Sequence, residues 1–255
     1  MTQTNIAFIG GGNMARALIT GLLAKQWPGD AIIVSDPSAE ALTTFTLLNS
    51  AIETTSDNRI AVAQADVIVL AIKPQAMKSV AQALNPLLTQ TRPLIISIAA
   101  GLMERDINRW LGGDLPMVRC MPNTPAMVSQ GATGLYANDR VTKDQKSLAE
   151  ALLQAVGTCV WVEDEGQLDA VTALSGSGPA YHFLVMEAME NAGVALGLPA
   201  DVARQLSLQT ALGAATLATH SDYPVAELRR QVTSPGGTTE QAIHTLEEGQ
   251  LRELF

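Results

Sequence analysis

Short apolar runs alternate with longer amphipathic segments along the chain up to Val162. The runs are continuous rather than alternating, which is typical of strands buried on both faces of a largely parallel sheet. Strands that alternate with helices at this spacing predict a doubly wound α/β domain. The predicted strands cover residues 5–9, 31–35, 67–71, 94–98, 116–121, 131–136 and 158–162, and the predicted helices cover residues 13–25, 39–48, 58–65, 74–84, 102–111 and 143–155.

The pattern changes after Val162, where strand-like runs stop and Ala, Leu and Met recur at helical spacing. Frequent Ala allows helices to approach closely, as in a bundle or an interface between subunits. We therefore expect an all-α second domain, with the domains at residues 1–163 and 164–255. The predicted helices of the second domain cover residues 179–196, 199–219, 224–231 and 237–248.

The charge composition of the chain argues against some classes of binding partner. The 255-residue chain carries 16 basic and 25 acidic residues, a net charge of −9, so it has no general attraction for nucleic acid or anionic membranes. Residues 164–255 contain 12 of the acidic residues and 4 Arg, a charge of −8. This asymmetry indicates either two parts with different roles or an acidic, solvated helical surface.

Cysteine usage and the N-terminal sequence favour a cytoplasmic protein. Cys120 and Cys159 lie in apolar runs, where a thiol is usually a small core residue, and no Cys/His cluster has metal-site spacing. The N-terminus lacks the features of a signal peptide, and no apolar run is long enough to span a membrane. We expect no metal site and no membrane partner.

The predicted first strand leads into Gly-Gly-Gly-Asn-Met-Ala at residues 10–15, a G-x-G-x-x-A motif before a helix. Gly10 allows the tight turn, Gly12 lets the backbone approach a pyrophosphate, and Ala15 permits close packing of the helix. The helix N-terminus adds N–H groups and a positive dipole end. A glycine triplet alone is compatible with a simple turn. Together with Asp36 at the end of the next strand it predicts a Rossmann-type dinucleotide site.

Asp36 bears on the choice of cofactor. A carboxylate at this point can accept hydrogen bonds from a ribose 2′-hydroxyl, which favours NADH over NADPH. The alternative is an Asx turn or the N-cap of the helix at residues 39–48, which Asp-Pro-Ser suits. No Arg follows within several residues to hold a 2′-phosphate, although Ser35 and Ser38 could help. The sequence is compatible with either cofactor.

Two further strand ends should border the same ligand, because ligands bind beyond the carboxyl ends of parallel strands. Lys73 could contact phosphate or ribose, and Ala99-Ala100-Gly101 would let the backbone approach the nicotinamide. The alternatives are a solvated lysine and a turn of small residues.

Three loops offer polar groups for a second ligand. Met-Pro-Asn-Thr-Pro at residues 121–125 is made rigid by its prolines. Ser-Gly-Ser-Gly-Pro-Ala-Tyr at residues 175–181 opens a helix and is either an anion seat or only a cap. Thr-Ser-Pro-Gly-Gly-Thr-Thr-Glu at residues 233–240 exposes N–H groups and hydroxyls that suit a carboxylate, unless Thr238 or Thr239 merely caps the helix.

In combination the motifs resemble those of the pyrroline-5-carboxylate reductase family, from Ile6 to Phe255. The resemblance implies NADPH- or NADH-dependent reduction of L-1-pyrroline-5-carboxylate to L-proline, the last step of proline biosynthesis, by hydride transfer to a cyclic imine. It also implies a homodimer, often assembled further, built by the helical domain. The motifs that carry it are, in chain order, Gly-Gly-Gly-Asn-Met-Ala, Ala-Ile-Lys-Pro-Gln, Arg-Cys-Met-Pro-Asn-Thr-Pro, Ser-Gly-Ser-Gly-Pro-Ala-Tyr and Val-Thr-Ser-Pro-Gly-Gly-Thr-Thr.

The resemblance also implies the site residues. Thr239 is the candidate catalytic residue, because the matching threonine of the family hydrogen-bonds the ring nitrogen of the substrate. Many relatives place a small polar or basic residue where Asp36 stands, which weakens the case for NADPH. The candidate substrate-binding residues are Ser177, Val232, Ser234, Gly237 and Thr238. The candidate cofactor-binding residues are Ile9, Gly10, Gly11, Gly12, Asn13, Met14, Asp36, Asn58, Ala71, Ile72, Lys73, Pro74, Ala99, Ala100 and Gly101.

Two other functions compete with this one. A β-hydroxyacid dehydrogenase-like reductase shares the two-domain plan, but it would need a lysine in the second domain, and no Lys follows Lys146. A non-catalytic, dinucleotide-sensing dimer would not need the two loops that carry the substrate candidates, at residues 175–181 and 233–240. The sequence shows no His/Asp dyad or activated nucleophile, which suits hydride transfer to an imine that is already electrophilic.

Overall fold

The computed structural model describes residues 4–255, apart from the side chains of Thr89 and Gln90. The predicted class is confirmed: an α/β part with a Rossmann-type sheet precedes a helical part. The strands are β1 (Ile6–Ile9), β2 (Ile32–Ser35), β3 (Glu53–Thr55), β4 (Val67–Leu70), β5 (Leu94–Ser97), β6 (Met117–Met121), β7 (Gly131–Ala137) and β8 (Gly157–Trp161).

Helices separate most of the strands and then form the rest of the chain. Short 3-10 turns cover Gly29–Ala31, Thr124–Val128 and Gln154–Val156, and a π-helical turn covers Thr172–Gly176. The α-helices are α1 (Asn13–Ala24), α2 (Ala39–Leu48), α3 (Asn58–Val62), α4 (Pro74–Thr91), α5 (Glu104–Trp110), α6 (Lys143–Leu153), α7 (Gln167–Val171), α8 (Gly178–Ala195), α9 (Ala200–Thr219), α10 (Val225–Gln231), α11 (Thr238–Glu248) and α12 (Leu251–Leu254).

The strands form one sheet in the order β3-β2-β1-β4-β5-β6-β7-β8. The first six strands of the chain are parallel, β7 runs antiparallel to β6, and β8 is parallel to β7. The strand order reverses between β1 and β4. A crevice opens beyond the carboxyl ends of the strands at such a reversal, and dinucleotides bind there.

Both faces of the sheet are buried, as the continuous apolar runs predict. Ile6 and Phe8 of β1 belong to the core under α1, α2 and α6, while Ala7 and Ile9 belong to the core under α3, α4 and α5. Successive strand residues point to opposite faces, so a strand covered on both sides needs apolar residues at every position. The two cores therefore hold the strands rigidly in place, and with them the loops that follow the carboxyl ends of the strands.

Helix α4 is longer than the pattern predicts, because it continues past Leu84 and through Pro86 to Thr91. A proline in a helix interior lacks the N–H for one backbone hydrogen bond and usually ends the helix. Here Pro86 is exposed, so water can solvate the carbonyl that loses its partner, while Leu84 and Leu88 are completely buried. Burial of these leucines outweighs the local preference of the proline.

The sequence pattern also misses three short elements. Strand β3 has three residues, Glu-Thr-Thr, without the apolar run that marks the other strands. Helices α7 and α12 have five and four residues, too few for a helical period to show. These elements are stabilised by contacts with neighbouring parts of the folded chain and not by a pattern in their own sequence.

The chain divides into two compact units, the second of which runs from His182 to Phe255. Residues 164–181, which the helical pattern assigns to the second domain, pack with the first unit; the boundary after residue 163 stays a prediction. In the second unit Ser207 donates a hydrogen bond to the Met186 carbonyl (3.0 Å), while Phe183 and Leu184 are more than half exposed. The second unit thus exposes large apolar side chains among its polar ones.

Candidate cofactor and substrate site

The turn after β1 requires glycine at its first position. Gly10 has φ +104°, and a Cβ there would lie 2.4 Å from the Ala71 carbonyl oxygen. Gly12 is the N-cap of α1, and a Cβ there would meet nothing within 4 Å. Gly10 is thus fixed by the fold, while the backbone at Gly12 borders open space that a pyrophosphate could fill. Ala15 is fully buried beneath this turn.

Asp36 is bound to the same turn. Its carboxylate accepts the N–H of Gly11 through Oδ2 (2.8 Å) and the N–H of Ser38 through Oδ1 (2.8 Å). The second bond is an Asx turn, but Ser38 and not Asp36 is the N-cap of α2, since the Ser38 hydroxyl accepts the N–H of Ala41. The carboxylate is therefore held against the glycine turn, where an adenosine ribose would lie.

Asn58 joins this region from the start of α3. Its amide oxygen accepts a hydrogen bond from the buried Ser35 hydroxyl (2.7 Å), which fixes the orientation of the amide. Asp57, the N-cap of α3, pairs with Arg59, and this hydrogen bonding lowers the pKa of Asp57 to about 2. The sequence suggests Ser35 only as a help in holding a 2′-phosphate, and its hydrogen bond to Asn58 was not predicted.

The loops after β4 and β5 adjoin the glycine turn. The N–H of Ala71 donates to the Ile9 carbonyl (2.8 Å), and Lys73 is the N-cap of α4, with Pro74 at the first helical position. After β5, Ala99 is buried and its N–H faces the Ser97 hydroxyl at 3.4 Å. Gly101 has φ +73°, and a Cβ there would meet nothing within 4 Å.

The structure therefore brings the strand-end cofactor candidates to one edge of the sheet. Strands β2, β1, β4 and β5 are parallel neighbours, so the loops after them lie side by side. Narrow turns, small side chains and two helix N-termini suit a dinucleotide with a negatively charged pyrophosphate. The residues at this edge are Ile9, Gly10, Gly11, Gly12, Asn13, Met14, Asp36, Ala71, Ile72, Lys73, Pro74, Ala99, Ala100 and Gly101.

Ser177 lies just before α8, at the end of the π-helical turn. Its N–H donates to the Thr172 carbonyl (2.8 Å), and its carbonyl accepts the N–H of Ala180 (3.0 Å). The predicted helix entrance is present. The turn that precedes it is wider than an α-helical turn.

The remaining substrate candidates form the turn between α10 and α11 in the second unit. Gly237 is the N-cap of α11 and has no side chain, so the capping roles considered for Thr238 and Thr239 are wrong: both residues are inside the helix. Gly236 has φ +74°, and its N–H donates to the Glu240 carboxylate (2.7 Å). Ser234 accepts the N–H of Gly237 through its carbonyl (3.0 Å), and Val232 ends α10.

No group of three or more His, Cys, Asp or Glu among the described residues could hold a metal ion. Burial raises the pKa of the Cys120 thiol well above its ordinary value and that of Cys159 to about 11. Both thiols are therefore protonated at neutral pH and are poor nucleophiles. Within residues 4–255, no helix is long and apolar enough to cross a bilayer.

Comparison with known proteins agrees with this geometry. Residues 165–255 match the family described as pyrroline-5-carboxylate reductase dimerisation, and residues 5–101 match the family NADP oxidoreductase, coenzyme F420-dependent. Over 247 residues the chain is 54% identical to a pyrroline-5-carboxylate reductase of Pseudomonas aeruginosa, covering 97% of this chain and 90% of that protein. The chain belongs to the pyrroline-5-carboxylate reductase family.

Solved reductases of this family share the whole fold. A pyrroline-5-carboxylate reductase from Coxiella burnetii superposes with a TM-score of 0.94 at 49% identity, covering 99% of this chain and 93% of that one. The Plasmodium falciparum pyrroline carboxylate reductase with NADP bound gives a TM-score of 0.87 at 30% identity, covering 100% and 93% of the two chains. The family membership decides against a β-hydroxyacid dehydrogenase-like reductase and confirms a nicotinamide cofactor.

Two buried polar residues are not among the candidate site residues, although the sequence places Asn123 in a loop that could serve a second ligand. Arg119 lies within β6, and Asn123 lies two residues after it; both are more than nine-tenths buried. An arginine inside an otherwise apolar strand is visible in the sequence, and it indicates a buried charge that needs a partner. The sequence does not say which partner that is.

Proposed function

We propose that this chain reduces L-1-pyrroline-5-carboxylate to L-proline with NADPH or NADH. The observation that carries the proposal is the 54% identity to a reductase across nearly the whole chain, together with a glycine turn open to a pyrophosphate. In the reaction C5 of the cyclic imine gains a hydride and the ring nitrogen gains a proton. The cofactor supplies the hydride when bound.

The residues at the sheet edge bind and orient the cofactor. The N–H groups at the start of α1 face the pyrophosphate, and the open backbone at Gly12 lets it come close. Asp36 and Asn58 bind the adenosine ribose. Lys73 contacts phosphate or ribose, and Ala99, Ala100 and Gly101 border the nicotinamide. Binding through backbone N–H groups explains how a chain of net charge −9 can hold an anionic cofactor.

The turn before α11 binds the substrate. Ser234, Gly237 and Thr238 hold the carboxylate, largely through backbone N–H groups at the start of an 11-residue helix. Val232 of the same turn contacts the ring, and Ser177 stays a separate candidate for substrate binding in the first unit. This division assigns the cofactor to residues 1–163 and dimerisation and substrate binding to residues 164–255. We propose a homodimer or a larger homo-oligomer as the active form.

Thr239 orients the imine. Its hydroxyl hydrogen-bonds the ring nitrogen, which fixes the orientation of the imine and lets a proton reach the nitrogen. A threonine hydroxyl is too weak an acid at its ordinary pKa to drive the reaction by proton donation alone. Positioning is enough here, since the protonated imine is already a strong electrophile.

An absorbance assay tests the function. Purified protein is mixed with L-1-pyrroline-5-carboxylate and NADPH or NADH, and loss of the reduced nicotinamide is followed. Absorbance that stays constant with an intact oligomer would overturn the proposal, and a dinucleotide sensor would then be favoured.

The role of Thr239 is tested by a matched pair of variants. Thr239→Ala should lower kcat by about 100-fold, because it removes the hydroxyl, and leave the Kd for NADPH nearly unchanged. Thr239→Ser keeps the hydroxyl and should retain most of the activity. Equal loss of turnover and cofactor binding in Thr239→Ala would show that Thr239 is only structural.

A further inference from the structure

One face of β6 contacts the segment that leads into α8. We name this segment, residues 165–178, the connector. Arg119, Met121 and Asn123 alternate along β6 and the residues just after it, and alternate residues of an extended chain share a face. All three contact the connector. By sequence the connector belongs to the dimerisation family match at residues 165–255, yet it packs within the first compact unit.

Arg119 holds the start of the connector. Its Nη1 lies 2.7 Å from Oε1 of Glu165, and the two side chains are only 8% and 14% exposed. The same Glu165 oxygen accepts the N–H of Glu104 at the start of α5. Removing either partner would leave a buried charge unpaired, which is costly. Burial and the carboxylates of Glu165 and Glu104 raise the pKa of the neighbouring Tyr136, so its phenol stays neutral beside the pair.

Asn123 holds the end of the connector. Its Nδ2 donates to the Ser175 carbonyl (3.0 Å), and its Oδ1 accepts the N–H of Ala132 in β7 (2.9 Å). Both ends of the amide are engaged, so its orientation is fixed. Between the two anchors Met121 packs on Gly176, since a Cβ at Gly176 would lie 2.6 Å from the Met121 methyl carbon.

The contact falls on the irregular part of the connector. Thr172–Gly176 forms a π-helical turn, a rare conformation that often occurs at functional sites. Such a turn interrupts the regular hydrogen-bond ladder, and buried carbonyls then need partners from outside the helix. Asn123 supplies the partner for Ser175, two residues before the substrate candidate Ser177.

We propose that Asn123 is a positioning residue for the reduction. By holding the Ser175 carbonyl it fixes the π-helical turn and Ser177 at the sheet edge that receives the nicotinamide, because β6 is the parallel neighbour of β5. The ion pair between Arg119 and Glu165 secures the other end of the connector. This role rests on the proposed function.

Asn123→Asp is the sharpest test, because the side chain keeps its shape. One carboxylate oxygen can still accept the N–H of Ala132, but the other would face the Ser175 carbonyl and repel it. The kcat/KM for pyrroline-5-carboxylate should fall about 10- to 100-fold from misplacement of the substrate site. The Kd for NADPH, measured by fluorescence titration, should change by less than about twofold.

The pH profile of the variant separates positioning from general damage. Burial raises the pKa of the introduced carboxyl, and below that pKa the neutral acid can donate to the Ser175 carbonyl as the amide does. The activity of Asn123→Asp relative to wild type should therefore rise as the pH is lowered. Asn123→Ala has no donor at any pH and should show no such recovery.

Asn138→Ala is the matched control. Asn138 is equally buried, and its amide bonds the Leu115 carbonyl, the Met117 N–H and the Glu104 carboxylate, none of which belongs to the connector. It should lose stability to a similar extent as Asn123→Ala but keep kcat/KM per folded molecule. Unchanged kcat/KM in the Asn123 variants, or equal loss in the control, would overturn the role of Asn123. An inactive wild type would instead overturn the proposed function, and this role with it.

Discussion

At the scale of single residues, Asp36 has a visible role in the fold beside the ligand-binding role proposed for it. Its two carboxylate oxygens accept backbone N–H groups from Gly11 and Ser38, so it links the glycine turn to the start of α2. Each oxygen has further lone-pair capacity for a ribose hydroxyl. A fixed negative charge at this place should repel a 2′-phosphate.

Replacing Asp36 with Ser should shift the preference toward NADPH. The change removes the repulsion, so the ratio of kcat/KM for NADPH to that for NADH should rise about tenfold, equivalent to about 1.4 kcal/mol. Steady-state kinetics with both cofactors measure the ratio. Asp36→Asn retains the acceptor oxygen without the charge and separates repulsion from hydrogen bonding. An unchanged ratio in both variants would mean that Asp36 only organises the turn.

At the scale of elements, the turn between β1 and α1 uses its glycines for different reasons. Gly10 meets the demand of the fold, because its φ is positive and the Ala71 carbonyl leaves no room for a Cβ. The fold places no such demand on Gly12, because its backbone is extended and a Cβ would point into the open space proposed for the pyrophosphate. The three consecutive glycines look equivalent in the sequence but are not equivalent in the structure.

The glycine pair yields opposite predictions. Gly10→Ala should destabilise the protein by about 2–4 kcal/mol from backbone strain and steric overlap. Gly12→Ala should cost no more than about 1 kcal/mol but weaken NADPH binding at least about tenfold by blocking the pyrophosphate. Urea unfolding and cofactor titration measure the two effects. A stable Gly10→Ala protein with normal affinity would contradict this account of the turn.

At the scale of the whole molecule, the two compact units differ in how they bury apolar surface. The first unit has a core on each face of its sheet. In the second unit the buried hydrophobic residues include Ala203, while Leu184, Leu212 and Leu217 are all more than half exposed. Apolar patches of this kind mark interaction surfaces, in agreement with the dimerisation family match.

Unfolding should therefore depend on protein concentration. Because association buries the apolar surface of the second unit, a tenfold higher concentration should raise the urea midpoint measured by far-UV circular dichroism. Sedimentation gives the oligomeric state at each concentration. NADPH should further stabilise the first unit, by an amount that grows with the logarithm of the NADPH concentration above its Kd. A midpoint that does not change with concentration, together with a monomer in sedimentation, would contradict this prediction.

The features that could be predicted from the sequence are those that local chemistry controls. Continuous apolar runs predicted the main strands, helical periodicity predicted most helices, and the motif at residues 10–15 located the turn between β1 and α1. The helix through Pro86 and the short strand β3 were not predictable, because burial of leucines and pairing with β2 outweigh local preference. The observed ends of several helices and strands differ from the predicted ends by a few residues, because tertiary contacts outweigh local preference there too.

Contacts between groups that are distant in sequence depend on the folded arrangement of the strands and helices. Asp36 meets Gly11, Ser35 meets Asn58, and Asn123 meets the Ser175 carbonyl, 52 positions away in sequence. A sequence reports that a buried polar residue needs a partner, since an unpaired one is costly. It does not report the partner, because strand order and register set that choice. The turns of this reductase can therefore be predicted from its sequence, whereas its long-range hydrogen bonds cannot.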